Sequence, residues 1–290
     1  MTTNTVSSKD ISELRARTSA GMMDCKAALV ESGGDMDRAV EILRSKGVAK
    51  ADKRSGRVAA QGLVVVASQP PGTDVAMIEL DCETDFVART EGFAALAREL
   101  AAIAVREAPE GVHPGSVLES RPFAGRTVGE AVKELSGKTG EATTLRRVAR
   151  FAEPNGTVQS YLHYNSQVGV LIALEGPAGN VLSELGRELA LHIASADPLA
   201  VSQADIDPEF LARERRIAEE QVAAEGKPEA IRPKIVEGKL RKIVAAKTLL
   251  GQPFVKDETK TVAELIEAAS TAAGGSVTVK RFARFKVGEA

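Results

Sequence analysis

Tryptophan is absent from the 290 residues, tyrosine occurs twice and histidine three times, so aromatic and imidazole groups can be followed one by one. Cysteine also occurs only twice, at Cys25 and Cys82, with no CxxC pair and no Cys/His cluster. That excludes a disulfide framework and the common structural zinc patterns. No apolar run approaches the ~20 residues that cross a bilayer, and MTTNTVSSKDIS at the N-terminus contains no apolar signal segment. A cytoplasmic chain with no membrane partner is the expectation. The formal net charge of −2 lacks the basic excess of a protein whose main partner is nucleic acid, so none is expected.

Catalytic signatures are missing as well. His113, His163 and His192 stand in no HExxH spacing, and neither a GxxxxGK[ST] phosphate loop nor a GxSxG elbow occurs. The expectation is a protein that is not an enzyme, with no metal site and no cofactor.

What is present divides the chain. In a helical module at residues 1–47, Ser8 or Asp10 can cap a first helix bearing Ile11 and Leu14. A second helix follows Gly21 with Met22, Cys25 and Leu29 at helical spacing. Gly33 and Gly34 break it, Asp35 can cap a third helix bearing Val40 and Leu43, and Gly47 is expected to end that helix. GVAKADKRSGRVAAQG has little apolar periodicity and predicts a connector over 48–61. Strand-like LVVVAS and VAMIEL, joined through QPPGTD, predict one hairpin, and TVQSYLHY with VGVLIALE predicts another.

An internal duplication organises the remainder. LARELA at 96–101 recurs as LGRELA at 185–190, and 185 − 96 = 89. Residues 127–151 align without gaps on 261–285 (261 − 127 = 134), with ten identities in 25 positions, where composition alone gives about one or two. Two related α+β subdomains follow, at 62–152 and 153–290. The Gly140 and Gly274-Gly275 positions are expected to be helix-to-strand turns. The offsets differ by 134 − 89 = 45, so the second copy carries an insertion of that length. Asp207-Pro208 starts a charged helix, GKP breaks it, and a second helix carries Ile235, Leu240, Ile243 and Val244 as a narrow stripe. This predicts an antiparallel coiled-coil hairpin over about 206–250. It can support its own subdomain, meet a partner, or pair two copies of the chain as a homodimer.

One corner does not read as ordinary core. In CETDFVART, an acid, Asp85, sits against a large aromatic, Phe86, where a strand should end. The pair is either a helix cap with a buried neighbour or a device aimed at another molecule. The equivalent corner of the second copy, EGPAGN at 175–180, has no such pair, so the fold does not require it. His163, between Tyr161 and Tyr164 on a predicted strand, marks either a contact surface or a half-buried sheet face. Tyr161 and His163 share one side of that strand.

ELRARTSAGMMDCKAAL, CETDFVAR, SYLH followed by VGVLIAL, and GQPFV together resemble the bacterial elongation factor Ts family, in the family's order and over essentially the whole chain. The resemblance implies a three-helix N-terminal module of ubiquitin-associated type, two related core subdomains and a coiled-coil insertion in the second. It implies guanine-nucleotide exchange on the GTPase elongation factor Tu, without direct nucleotide binding. Thr84, Asp85, Phe86 and Val87 match the motif associated with dislodging Mg²⁺ from the partner, with Phe86 as a wedge. Arg15, Met22, Met23 and Lys26 match partner-docking positions, as does His163. The chain departs from the family pattern at Ser19 and Tyr164, and it ends shortly after FKVGEA, so docking through an added C-terminal module is not expected. Two other classes are compatible with parts of the chain: an adaptor for ubiquitin-like or helical partners, from the three-helix module, and RNA binding through the basic connector.

Overall fold

A computed structural model describes residues 6–18, 20–52, 56–69, 73–226 and 228–289, with 48–52 as helix backbone. Ser19, the Lys53–Ser55 part of the basic connector, the Pro70–Gly72 turn of the first hairpin and Lys227 of the hairpin break lie outside the described residues. The chain forms two compact units. One holds the residues up to Ala67 with Ala76–Arg150 and the segment from Lys286, the other Ser68–Val75 and Phe151–Phe285. Together they make an α+β fold of small sheets and many helices.

The first unit opens with three helices, α1 (Ser8–Thr18), α2 (Met22–Glu31) and α3 (Met36–Asp52). Leu14, Cys25, Ala28, Leu29 and Ala39 form their small core. Gly47 does not end α3, which runs on to Asp52. The reason is tertiary: α3 lies against α6 (Val128–Thr139), and a Cβ added at Gly137 would stand 2.9 Å from the Gly47 Cα. Glycine costs a helix only ~1 kcal/mol, and close backbone packing at this crossing outweighs that.

β1 (Gln61–Gln69) and β2 (Asp74–Cys82) follow, then the one-turn α4 (Asp85–Ala88), α5 (Glu91–Glu107) and β3 (Gly111–Pro114). After a small antiparallel ladder of β4 (Pro122–Phe123) and β5 (Arg126–Thr127), α6 leads to β6 (Thr143–Ala152). The sheet order is β1-β2-β6-β3, with β3 antiparallel to β6. Alternate residues of β2, namely Ala76, Ile78, Leu80 and Cys82, share one core with Phe93, Leu96 and Leu100 of α5 and Val128 and Val132 of α6.

The second unit repeats the pattern. β7 (Gly156–Leu162) and β8 (Val168–Glu175) pair antiparallel, from Gly156 opposite Glu175 to Leu162 opposite Gly169. α7 (Asn180–Ala196) matches α5 in length, each having 17 residues. The charged hairpin is α8 (Pro208–Ala224) and α9 (Arg232–Lys247). Asp207 caps α8 ahead of Pro208, as the sequence predicts, and the seam is Ala218 and Val222 against Val236 and Leu240. β9 (Pro253–Phe254), β10 (Asp257–Thr261), α10 (Val262–Ala273) and β11 (Thr278–Lys286) complete the unit.

The retained identities of the duplication have visible causes. Thr127 with Glu130, and Thr261 with Glu264, form equivalent capping boxes at the starts of α6 and α10. Gly140 (φ 78°) and Gly274 (φ 69°) end those helices in the left-handed region, so both glycines are helix-to-strand turns. Val128 and Val262 are fully buried, as are Phe151 and Phe285 to within 2%.

His192 is a structural histidine. Its Nδ1 accepts from the Val255 N–H at 3.3 Å, which leaves Nε2 to donate to Gln252 Oε1 at 2.9 Å. Gln252 in turn donates to Ala196 O and Ala246 O, so the GQPFV segment ties α7 to the base of the hairpin. Burial pushes the His192 imidazole below its ordinary range. No helix among the described residues is long and apolar enough to cross a membrane.

Candidate functional site

The corner at Cys82–Thr90 is held by side-chain caps over a base of buried apolar residues. β2 ends at Cys82, and Thr84 takes up an extended backbone, with its hydroxyl accepting from the Val87 N–H at 3.4 Å. Thr84, not Asp85, is therefore the N-cap of α4, and Thr90 caps α5 by accepting from the Phe93 N–H. Asp85 is the first helical residue and pairs with Arg89 at 3.1 Å. The capping alternative raised for Asp85 thus belongs to its neighbour.

Two carboxylates clasp this corner to the turn after α6. Glu141 accepts twice, from the Thr84 N–H at 3.0 Å and from the Thr84 hydroxyl at 2.7 Å. In the opposite sense, Glu83 accepts from the Ala142 N–H at 2.7 Å and pairs with Arg57 at 3.3 Å. Beneath them, the Cys82 thiol donates to Thr84 O at 3.1 Å. Burial, together with the Glu141 charge, pushes that thiol up to about 12, so it stays protonated and unreactive at neutral pH.

On this platform Val87 points partly into the core and Ala88 is buried, while Phe86 is 80% exposed. An exposed phenylalanine is unremarkable on its own. Here it projects from a turn whose neighbouring groups are tied down by at least five hydrogen bonds. The buried-neighbour reading therefore does not describe Phe86.

The matched positions of the helical module lie on its outside. Cys25, Ala28 and Leu29 face inward from α2, whereas Met22 and Met23 are 59% and 74% exposed. The helical spacing of Met22 with Cys25 and Leu29 therefore does not translate into burial. Met22 starts α2 at the mouth of a groove it shares with Ile11 and Arg15 of α1, beyond the reach of the small core. Lys26 and Val30 are also exposed, so α2 presents a face that is apolar with one cation.

His163 lies in the second unit, one residue past β7 at the entrance of the β7–β8 turn. Its N–H extends the ladder to Val168 O at 2.9 Å, and Tyr161 shares its side, the phenol and Nδ1 being 2.8 Å apart. Tyr164 is 91% exposed. Thr84–Val87 are thus one constellation, Arg15, Met22, Met23 and Lys26 a second, and His163 a third. Glu141, Glu83 and Arg89 escaped the sequence reading. Glu141 alone had a signal, since the duplication aligns it with Gly275.

A family model described as Elongation factor TS matches residues 83–289. The chain belongs to the elongation factor Ts family. Relatives of that name include one from Alkalilimnicola ehrlichii, 42% identical over 284 residues, covering 98% of this chain and 92% of the relative. One from Methylorubrum populi is 44% identical over 285 residues, covering 96% and 91%. Another from Clostridium botulinum is 42% identical over 288 residues, covering 98% and 93%. These relatives also span the helical module, which lies ahead of the matched region. Membership in the elongation factor Ts family supports a nucleotide-exchange role in translation elongation.

Proposed function

We propose that this chain is a guanine-nucleotide exchange factor for the GTPase elongation factor Tu, and that the Thr84–Val87 corner is the element that disturbs the partner's Mg²⁺ and nucleotide site. The observation that carries this is an aromatic, Phe86, four-fifths exposed on a clasped one-turn helix. Exchange needs no acid, base or nucleophile. It needs a surface that binds the distorted, nucleotide-poor partner better than the nucleotide-bound one, because only differential affinity shifts a population. Linkage makes this reciprocal, so rebinding of GDP or GTP expels the factor.

In this reading Phe86 wedges against the partner, and Thr84 and Val87 hold it in place. Asp85 adds a negative charge near the metal, offset in part by Arg89. The α2 face with Met22, Met23 and Lys26, beside Arg15, is a docking surface on the partner's GTPase domain, and His163 contacts the same domain from the second unit. The chain itself binds no nucleotide.

The test is Phe86→Ala. An interface anchor of this type is worth ~2 kcal/mol or more, so stimulated GDP release should slow about thirtyfold. Because the side chain is exposed, folding stability should change by less than ~0.5 kcal/mol. Stopped-flow release of a fluorescent GDP analogue at a wild-type rate would sink the wedge.

A further inference from the structure

At the tip of the β7–β8 hairpin three rings form a cluster, and the exchange reading gives His163 a contact without saying how its ring is held. The backbone there is constrained: His163 N–H donates to Val168 O at 2.9 Å, Ser166 N–H donates to His163 O at 2.8 Å, and Ser166 has φ 56°, in the left-handed region. Tyr161 is partly buried, packed against the core that holds Val170, Ile172 and Leu189. Its hydroxyl lies 2.8 Å from His163 Nδ1, and the ring centroids are 6.0 Å apart. On the other side, the Tyr164 ring stands 4.6 Å from the imidazole at a tilt of 55°. Among the described residues, no hydrogen bond engages His163 Nε2.

We propose that Tyr161 is a positioning residue that locks His163 as the Nε2–H tautomer, so that this face presents one fixed N–H donor to an acceptor oxygen of the partner. A phenol is a stronger acid than a neutral imidazole N–H, so the favoured arrangement is O–H donating to Nδ1. When one ring nitrogen accepts, the proton of the neutral ring resides on the other, which is Nε2. Packing of the partly buried Tyr161 ring against the core, together with the constrained turn, fixes the direction of the donor. Tyr164 adds a tilted ring contact to the imidazole from the exposed turn. Preorganisation of this kind lowers the ordering cost on association, and the partner must then supply an acceptor, such as a backbone carbonyl or carboxylate. The functional half of this inference rests on the exchange reading; the tautomer does not.

Two measurements on the full chain test it. With ¹⁵N-labelled histidine, above the ordinary imidazole range, the wild-type His163 should show Nδ1 unprotonated and Nε2 protonated. Tyr161→Phe keeps the ring and its packing and removes only the hydroxyl, so the spectrum should shift toward mixed tautomers. Stimulated GDP release from the partner GTPase should then slow about three- to tenfold, the loss of one hydrogen bond's worth of orientation. His163→Gln, which retains an N–H donor, should lose less activity than His163→Ala. A wild-type spectrum with the proton on Nδ1 would overturn the tautomer. A Tyr161→Phe protein with mixed tautomers but wild-type release would overturn its role in exchange. If the wild-type chain releases no GDP, the exchange reading fails, and the tautomer is still decided by the spectrum.

Discussion

Removing the Glu141 carboxylate should loosen the Phe86 platform without touching Phe86. In the structure this side chain accepts two hydrogen bonds from one residue, the Thr84 N–H at 3.0 Å and the Thr84 hydroxyl at 2.7 Å. Hydrogen bonds to a charged acceptor are worth ~1.5–3 kcal/mol each when buried. Thr84 is only half-buried and water can reach it, so about 2 kcal/mol for the pair is the expected cost of Glu141→Ala. That corresponds to about a thirtyfold shift between the pinned and unpinned corner. The direct readout is native-state hydrogen exchange at the Thr84 amide, expected to speed up by that factor while amides of β2 keep their protection. Stimulated GDP release should fall along with it. Phe86→Ala should show the converse pattern, slow release with an unchanged Thr84 amide. Thr84 exchange in Glu141→Ala within twofold of wild type would refute the claim that this carboxylate holds the corner.

Two further outcomes probe the scaffold. Burial, with the Glu79 charge beside it, raises Asp81 to about 7, against which Arg146 at 3.6 Å acts only in part. The folded state therefore binds more protons than the unfolded state between about pH 4 and 7, and stability falls as pH rises through that window. Asp81→Asn should remove this slope and gain at least ~1 kcal/mol on wild type at pH 8 relative to pH 5, measured by urea unfolding. At the α3–α6 crossing, a Cβ at Gly137 would meet the Gly47 backbone at 2.9–3.1 Å. Gly137→Ala should cost about 1–3 kcal/mol by overpacking, despite alanine's better helix propensity, and faster proteolysis of α3 would report it.

Much of the architecture was legible because it is written in local signals that tertiary contacts reinforce. The glycines at 140 and 274 and the Asp207-Pro208 pair each announce a helix end, and the structure adds capping boxes at Thr127 and Thr261. Periodicity was less reliable where the core is small. Met22 satisfies the spacing of a buried residue yet lies at the edge of a core of five residues, and spacing cannot say where a core stops. Gly47 reads as a helix end because its purpose, the approach of Gly137, lies 137 − 47 = 90 residues away. The Thr84–Glu141 clasp was hidden for the same reason, with 141 − 84 = 57 residues between its partners.

Comparison of the two copies shows that the clasp occurs only at the corner that carries the exposed phenylalanine. By the offset of 134, Glu141 corresponds to Gly275, and the residue after the helix meets the hairpin corner in both units. In the first copy the meeting is a carboxylate on Thr84. In the second it is a bare glycine against Pro177, where an added Cβ would stand 2.8 Å from the proline ring. The following helix differs as well: α5 begins with a Thr90 cap, whereas α7 begins at Gly179 with no side-chain cap. The fold thus tolerates a corner with neither the acid-aromatic pair nor the carboxylate. An exposed phenylalanine on a loose loop would fold back onto apolar surface or spend its binding energy on being ordered. Holding Thr84 from a second element, while Val87 and Ala88 anchor the turn from below, keeps Phe86 outward before a partner arrives. On that logic Glu141 and Phe86 form one device, and transplanting Thr84–Val87 onto the second corner should fail to create a wedge unless Gly275 becomes glutamate too.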